Sequence, residues 1–299
     1  MDAVVFPGQG SQKPAMGAAW VASPSWAVVD EVSATLGRDV GALLLEADAA
    51  TLQATSNAQV AAFALGLVLL DAARNAGLTW QVAAGHSLGE YTALVAADIL
   101  PVADATTLVG ERAAAMQVAA DASPGTMAAV LALDTEAVEA CCAAAGGHAW
   151  IANDNAPGQI VVAGTADGVA AAAAAAKERG GKVLPLAVGA AFHTPLMATA
   201  QPRLDQAVAA APFAPGAVDV VANVDATPHG QPGEWPALLS AQLCSPVRWR
   251  ESVLRLEAMG VTRIIELGPG GVLGGMVKRI APDLDRTSAS TPDELAALI

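Results

Sequence analysis

The sequence predicts an α/β protein in which a small domain interrupts a larger one. Three observations carry this expectation. First, a β-prone run at 78–84 leads into Gly85-His86-Ser87-Leu88-Gly89 and leaves it as a helical pattern, which reads as strand, sharp turn and helix. Second, between about residues 124 and 190 the pattern runs strand, helix, strand, strand, helix, strand, the order of a ferredoxin-like βαββαβ unit. Third, 299 residues are many for a single core, and strands of the larger type lie on both sides of the small unit. The expected division is a large α/β domain of 1–123 and 191–299 with a ferredoxin-like insert at 124–190. A G-x-S-x-G turn between strand and helix gives the large domain an α/β-hydrolase-like character.

Element by element, residues 2–6 form a short β-prone run that enters a loop from Pro7 to Gln12. Helical periodicity covers 24–45 and 57–76, and a further helix covers 102–121. In the insert the strands are expected at 126–133, 149–153, 159–163 and 182–188, with helices at 134–145 and 165–179. The second of these helices contains seven consecutive alanines, Ala170 to Ala176; alanine has the highest helix propensity, so the run reads as helix. Beyond the insert come helix 195–211, strand 218–222, helices 235–243 and 248–259, strand 262–266, and a glycine-rich turn into a last helix at 270–280. No repeat of 20–50 residues is visible.

Composition excludes several function classes. Apolar residues make up 54% and aromatics 4%, so the core must be built from Ala, Val and Leu. No apolar run long enough to span a bilayer lacks polar interruptions, and no basic segment precedes an apolar stretch at the N-terminus, so neither a membrane span nor a signal peptide is expected. Cys141, Cys142 and Cys244 form no disulfide framework and show no metal-ligand spacing. Reduced thiols fit a cytoplasmic protein. A net charge of −14 argues against nucleic acid as a partner, which requires clustered Lys and Arg.

The chemistry centres on Ser87. The strand must turn abruptly so that the serine oxygen projects above the sheet, and a Cβ two residues to either side would clash, hence Gly85 and Gly89. The helix that follows brings backbone N–H groups and the positive end of its dipole beside the oxygen. An ordinary βα turn would share the pattern. A serine needs a base. His86 points to the opposite face of its strand from Ser87, and His148 and His229 read as turn residues. His193, in Ala191-Phe192-His193-Thr194-Pro195, follows a strand and precedes a helix, where an α/β site collects its side chains. An acidic third member between Ser87 and His193 would be Asp134, Asp154 or Asp167, and all three fall in the insert. A dyad with a backbone carbonyl orienting the imidazole is therefore expected. Arg112 could bind a carboxylate through two parallel hydrogen bonds, with Met116 one turn on; pairing with Glu111 or Asp104 on a solvated face is the bland alternative.

Taken together these segments resemble malonyl-CoA:acyl carrier protein transacylases over nearly the whole chain. The segments are Phe6 to Gln12, Gly85 to Glu90, Arg112 in Glu-Arg-Ala-Ala-Ala-Met-Gln, Asn153 to Gln159, Ala191-Phe192-His193, Cys244 to Trp249 and Glu266 to Gly270. Each is weak alone; seven in order are specific. The resemblance implies that Ser87 forms a malonyl ester and that His193 is the base, oriented by the carbonyl of Gln242. It implies an oxyanion hole from the backbone N–H groups of Gln9 and Leu88, with Gln59 lining the pocket. Leu88 and Phe192 look like the malonyl-type choices, Phe192 filling the space of a 2-methyl branch. Val60 departs from the many relatives with proline after the glutamine, which bears on the local turn. The implied partners are malonyl-CoA and an acyl carrier protein, with the coenzyme A thioester as substrate and no cofactor or metal, and the enzyme is expected to be a monomer. Fatty acid synthesis is the expected pathway; a polyketide or malonate-decarboxylase transacylase and a serine esterase are the rivals. Carrier proteins are usually acidic, so a local basic surface is required, and Arg248, Arg250, Arg255, Lys278 and Arg279 are candidates.

Overall fold

A computed structural model describes residues 1–188 and 190–299. The chain opens with β1 (Asp2–Phe6), followed by α1 (Ala27–Leu36), α2 (Val40–Leu45), α3 (Ala49–Gln53) and α4 (Thr55–Asn75). Then come β2 (Val82–Gly85), α5 (Gly89–Ala96) and α6 (Val102–Ala122). A second group comprises β3 (Thr126–Leu131), α7 (Thr135–Ala144), β4 (Ala149–Ala156), β5 (Gln159–Gly164), α8 (Ala166–Glu178) and β6 (Lys182–Pro185). The chain ends with α9 (Gln201–Ala210), β7 (Asp219–Val221), β8 (Pro228–His229), α10 (Trp235–Gln242), α11 (Trp249–Ala258), β9 (Arg263–Leu267), α12 (Val272–Ile280), β10 (Asp285–Ala289) and α13 (Pro292–Ala296).

The larger sheet has the order β10-β9-β1-β2-β7-β8, parallel except for the short β8 at one edge. Alternation along β1 sends Val4 and Phe6 into one core and Ala3 and Val5 into the other, so the sheet is covered on both faces. Helices α4, α5 and α6 cover the first face; α11 and α12 cover the second, through Trp249, Val253, Leu273 and Val277. Helix α4 is long and apolar enough to cross a membrane, yet 78% of its most apolar window is buried inside the fold, as a core helix that is hydrophobic all round must be.

The smaller sheet is antiparallel throughout, in the order β4-β5-β3-β6, with α7 and α8 packed on each other above it. It has its own core of Val130, Val138, Cys141, Ile160, Val162 and Ala172. The alanine run forms α8, as its propensity requires. The two chain crossings to the larger sheet lie side by side: a Cβ on Gly125 would stand 2.7 Å from the Cβ of Ala191. Strand β4 is stitched to the segment before α11, where Asp154 N–H donates to Val247 O and Val247 N–H donates to Ala152 O, both at 2.9 Å. Arg250 locks the same seam through a bidentate pair with Asp154.

Several elements differ from the sequence expectation. Residues 24–45 do not form one helix. Gly37 adopts φ +60° and ends α1, and the Asp39 carboxylate then caps α2 through Ala42 N–H. Residues 195–211 begin as a 3-10 turn over Pro195–Ala200, and α9 starts where Pro202 fits its first turn. Val60 lies inside α4, so there is no turn after Gln59.

Candidate active site

Ser87 sits two residues beyond Gly85, the last of β2, and one before Leu88, the N-cap of α5. Its φ is +53°, a left-handed conformation that a serine adopts only under constraint. The glycines on either side are obligatory. A Cβ on Gly85 would lie 2.0 Å from the Gly89 carbonyl, and one on Gly89 would lie 2.0 Å from Phe6 O. Because β1 and β2 are paired in register through Phe6 and Gly85, the loop after Phe6 passes directly beside the elbow. At Gly8 a Cβ would be 2.4 Å from His86 O and 3.4 Å from Leu88 N. Gln9, which follows, lines the same cavity as Ser87. Among the described residues no backbone or side-chain acceptor takes the N–H of Gln9 or of Leu88.

His193 also has a left-handed backbone, φ +60°, and is buried. Its Nε2 accepts from Ser87 Oγ at 2.7 Å, and its Nδ1 donates to Gln242 O at 2.9 Å. The carbonyl can only accept, so it fixes the proton on Nδ1 and leaves Nε2 free to take the serine proton. Burial first, and then the nearby Arg112 guanidinium, push the imidazole pKa down to about 3. No carboxylate reaches the ring among the described residues: Asp134 caps α7 and Asp154 pairs with Arg250.

Arg112 projects from α6 and is 1% exposed. It does not pair with an acid on a solvated face; Glu111 binds Arg203 instead. Its Nη1 donates to Gln59 Oε1 at 2.5 Å, and its Nη2 donates to Gln242 Oε1 at 3.1 Å and Ser87 Oγ at 3.2 Å. The guanidinium lies over the Tyr91 ring, 5.6 Å from its centroid. Its buried Nε has no partner among the described residues. A buried arginine with a spare donor, held by neutral amides beside a serine hydroxyl, can receive an anion.

These groups open into a cavity of about 420 Å³, whose wall includes Gln9, Ser87, Arg112, Met116, Phe192 and His193. Gln59 stands behind that wall rather than in it, holding Arg112 and donating from Nε2 to Met116 Sδ at 3.4 Å. Leu88 and Gln242 likewise lie behind the wall and contribute backbone groups at the elbow and the base. Among the described residues no cluster of His, Cys, Asp or Glu could hold a metal ion.

An acyl transferase domain family model matches residues 3–288 of this chain. A malonyl CoA-acyl carrier protein transacylase of Bacillus subtilis is 40% identical over 303 residues, covering 99% of this chain and 96% of that protein. The chain belongs to the malonyl CoA-acyl carrier protein transacylase family. Among transacylases of known structure, the acyl-carrier-protein S-malonyltransferase of Burkholderia pseudomallei superposes with a TM-score of 0.96 at 40% identity, covering 99% and 98% of the two chains. A malonyl-transacylase in complex with a type II polyketide acyl carrier protein gives a TM-score of 0.95 at 35% identity, again covering 99% and 98%.

Two residues around the transacylase elbow, Asn223 and Glu90, and the side-chain role of a third, Gln242, escaped the sequence reading. Asn223, after β7, accepts from Ser87 N–H at 2.6 Å and donates from Nδ2 to Gly85 O at 2.6 Å. The Gln242 side chain donates to Ser87 O at 2.9 Å, beyond the carbonyl role expected of this residue. Glu90 is buried beneath both. Nothing in the spacing reveals Asn223, which lies 136 residues from Ser87 and meets it only through the pairing of β2 with β7. His86 holds Asn155 Oδ1 at 2.8 Å and packs edge-on against Trp249.

Proposed function

We propose that this chain carries a malonyl group from coenzyme A to the phosphopantetheine thiol of an acyl carrier protein, through an ester on Ser87. In the first half, Ser87 Oγ attacks the thioester carbonyl as His193 Nε2 takes the serine proton. The tetrahedral oxyanion is held by the N–H groups of Gln9 and Leu88. The C–S bond breaks, and His193 returns the proton to the departing coenzyme A thiolate. The second half repeats these steps with the carrier thiol as nucleophile, and His193 accepts the thiol proton and returns it to Ser87 Oγ.

The observation that carries the malonyl reading is the Arg112 guanidinium, buried 3.2 Å from Ser87 Oγ with an unpartnered Nε. A water-poor pocket admits a free carboxylate only against such a partner. Met116 and Phe192 bound the acyl pocket, and Phe192 disfavours a 2-methyl branch by about 1–3 kcal/mol. The large unit of 1–123 and 191–299 supplies Ser87, His193 and Arg112; the inserted 124–190 unit supplies Asn153 and Leu186 to the cavity wall. The reading makes the protein a cytoplasmic monomer that uses no cofactor, acts for fatty acid synthesis and binds neither nucleic acid nor membrane.

The test is acylation with radiolabelled malonyl-CoA, followed by chase with a panel of holo acyl carrier proteins. One equivalent of acid-stable label should be retained and then chased to the carrier, and Ser87→Ala should retain none. Rapid hydrolysis of simple esters without transfer would assign the elbow to an esterase instead.

A further inference from the structure

A buried carboxylate stands one turn below the nucleophile and takes no part in the steps above. Glu90 is the second residue of α5 and is 1% exposed. Its Oε1 accepts from the Asn223 backbone N–H at 2.6 Å, and its Oε2 accepts from Gln242 Nε2 at 2.5 Å. Those two partners hold the rest of the site. The Asn223 side chain spans Gly85 O and Ser87 N–H, closing the elbow. The Gln242 amide donates its second hydrogen to Ser87 O, its Oε1 accepts from Arg112 Nη2, and the Gln242 backbone carbonyl holds His193.

An amide in such a network has two orientations, and only one suits Arg112, which needs an acceptor. A carboxylate accepts and never donates, so it selects the orientation that turns Nε2 toward Glu90 and Oε1 toward the guanidinium. We infer that Glu90 is a positioning residue: by fixing the Gln242 amide and the Asn223 backbone it aims Arg112 and holds the Ser87 elbow, and so sets the preference for a carboxylated acyl group. The inference rests on the transfer reaction proposed above.

A neutral residue would be expected here on stability grounds alone. Burial raises the Glu90 pKa to about 7, against the two donated hydrogen bonds and the attraction of Arg112. The other titratable groups acting on it are Asp225, in the turn after β7, which opposes the charge, and Tyr91 beside it on α5. Among the described residues, β1, β2 and α4, which also pack on α5, add none. A carboxylate kept in a place that disfavours its charge marks a functional demand on that charge.

The experiment compares wild type, Glu90→Gln and Glu90→Asp in labelling by malonyl-CoA and by acetyl-CoA, with circular dichroism melts at pH 8. For Glu90→Gln we expect malonyl kcat/KM to fall by roughly 10²-fold, the scale of a misplaced catalytic group, and acetyl kcat/KM to fall less, so that the malonyl-to-acetyl ratio drops. The melting temperature should be unchanged or higher. The acid limb with a midpoint near pH 7 in the wild-type malonyl profile should vanish in Glu90→Gln and persist in Glu90→Asp. Malonyl kcat/KM and a ratio within twofold of wild type in a folded Glu90→Gln would overturn the inference. So would loss of folding in both variants, which would make Glu90 a structural group. If wild type itself gave no malonyl label, the transfer reading would fail instead, and the two failures are thereby distinguishable.

Discussion

The guanidinium of Arg112 touches Ser87 Oγ and, in the proposed reaction, the carboxylate of the acyl group. Replacing it with alanine leaves the cavity to a desolvated anion without a partner. Malonyl kcat/KM should fall by about 2–5 kcal/mol in transition-state terms, the range for breaking a buried charged hydrogen-bond pair. Acetyl transfer should fall far less, and parallel assays on the two thioesters read the difference. Retention of the malonyl preference in Arg112→Ala would remove the argument for malonate. His193 makes a second prediction. Its folded pKa is pushed from 6.5 to about 3, so the neutral base persists through mildly acid pH. In Glu90→Gln, kcat/KM should therefore show no break near 6.5, and such a break would refute the buried-base geometry. Stability carries the opposite cost. Between 6.5 and about 3 the unfolded chain binds a proton that the folded chain refuses, so this residue makes stability fall as pH falls through that window.

The elbow is a property of three elements at once: β2, α5 and the end of β1. Gly85→Ala would drive a methyl into the first turn of α5, and Gly89→Ala would drive one into the Phe6 carbonyl. Neither neighbour is a flexible side chain, so each variant should lose about 3 kcal/mol or more of stability, read as a lowered melting temperature or insoluble expression. This region was legible in the sequence because its constraint is local: strand, tight turn and helix leave glycines at fixed spacing. The βαββαβ insert was legible for the same reason, since each element announces its own period, and the strand order β4-β5-β3-β6 follows from that order of elements. Other elements carried no such signal. Strand β10 reads Asp-Arg-Thr-Ser-Ala; as an edge strand it has few apolar positions to betray it. The break between α1 and α2 turns on Gly37 and Asp39, which a helical apolar pattern overrides when it is read as one stretch. At the site, Ser87, His193 and Arg112 were visible as chemically special residues in motifs. The web of Asn223, Glu90 and the Gln242 side chain was not, because it exists only where strand ends meet.

Charge acts on the molecule as a whole, and at −14 it opposes approach by acidic partners over long distances. The C-terminal cations offer little relief near the site. Arg248 and Arg250 are spent on Glu251 and Asp154, and Arg279 on Gln159 and the Pro157 carbonyl. Arg255 and Lys278 lie in the last turns of α11 and α12, which run back toward the starts of the strands, away from the edge that carries Ser87. Around the cavity the only lining Lys or Arg among the described residues is Arg112 itself, and it is buried. Lys13 is different. It is exposed between Gln12 and Pro14, both of which line the cavity. A single cation at the mouth is worth most at low salt, where its field reaches about 10 Å or more. Lys13→Glu should therefore raise KM for malonyl-CoA and for the carrier by up to about tenfold at low ionic strength, with kcat little changed. The difference from wild type should close as salt is added. Equal kinetics for the two proteins at low salt would show that the mouth is neutral in effect, and that the carrier is captured by shape and apolar contact alone.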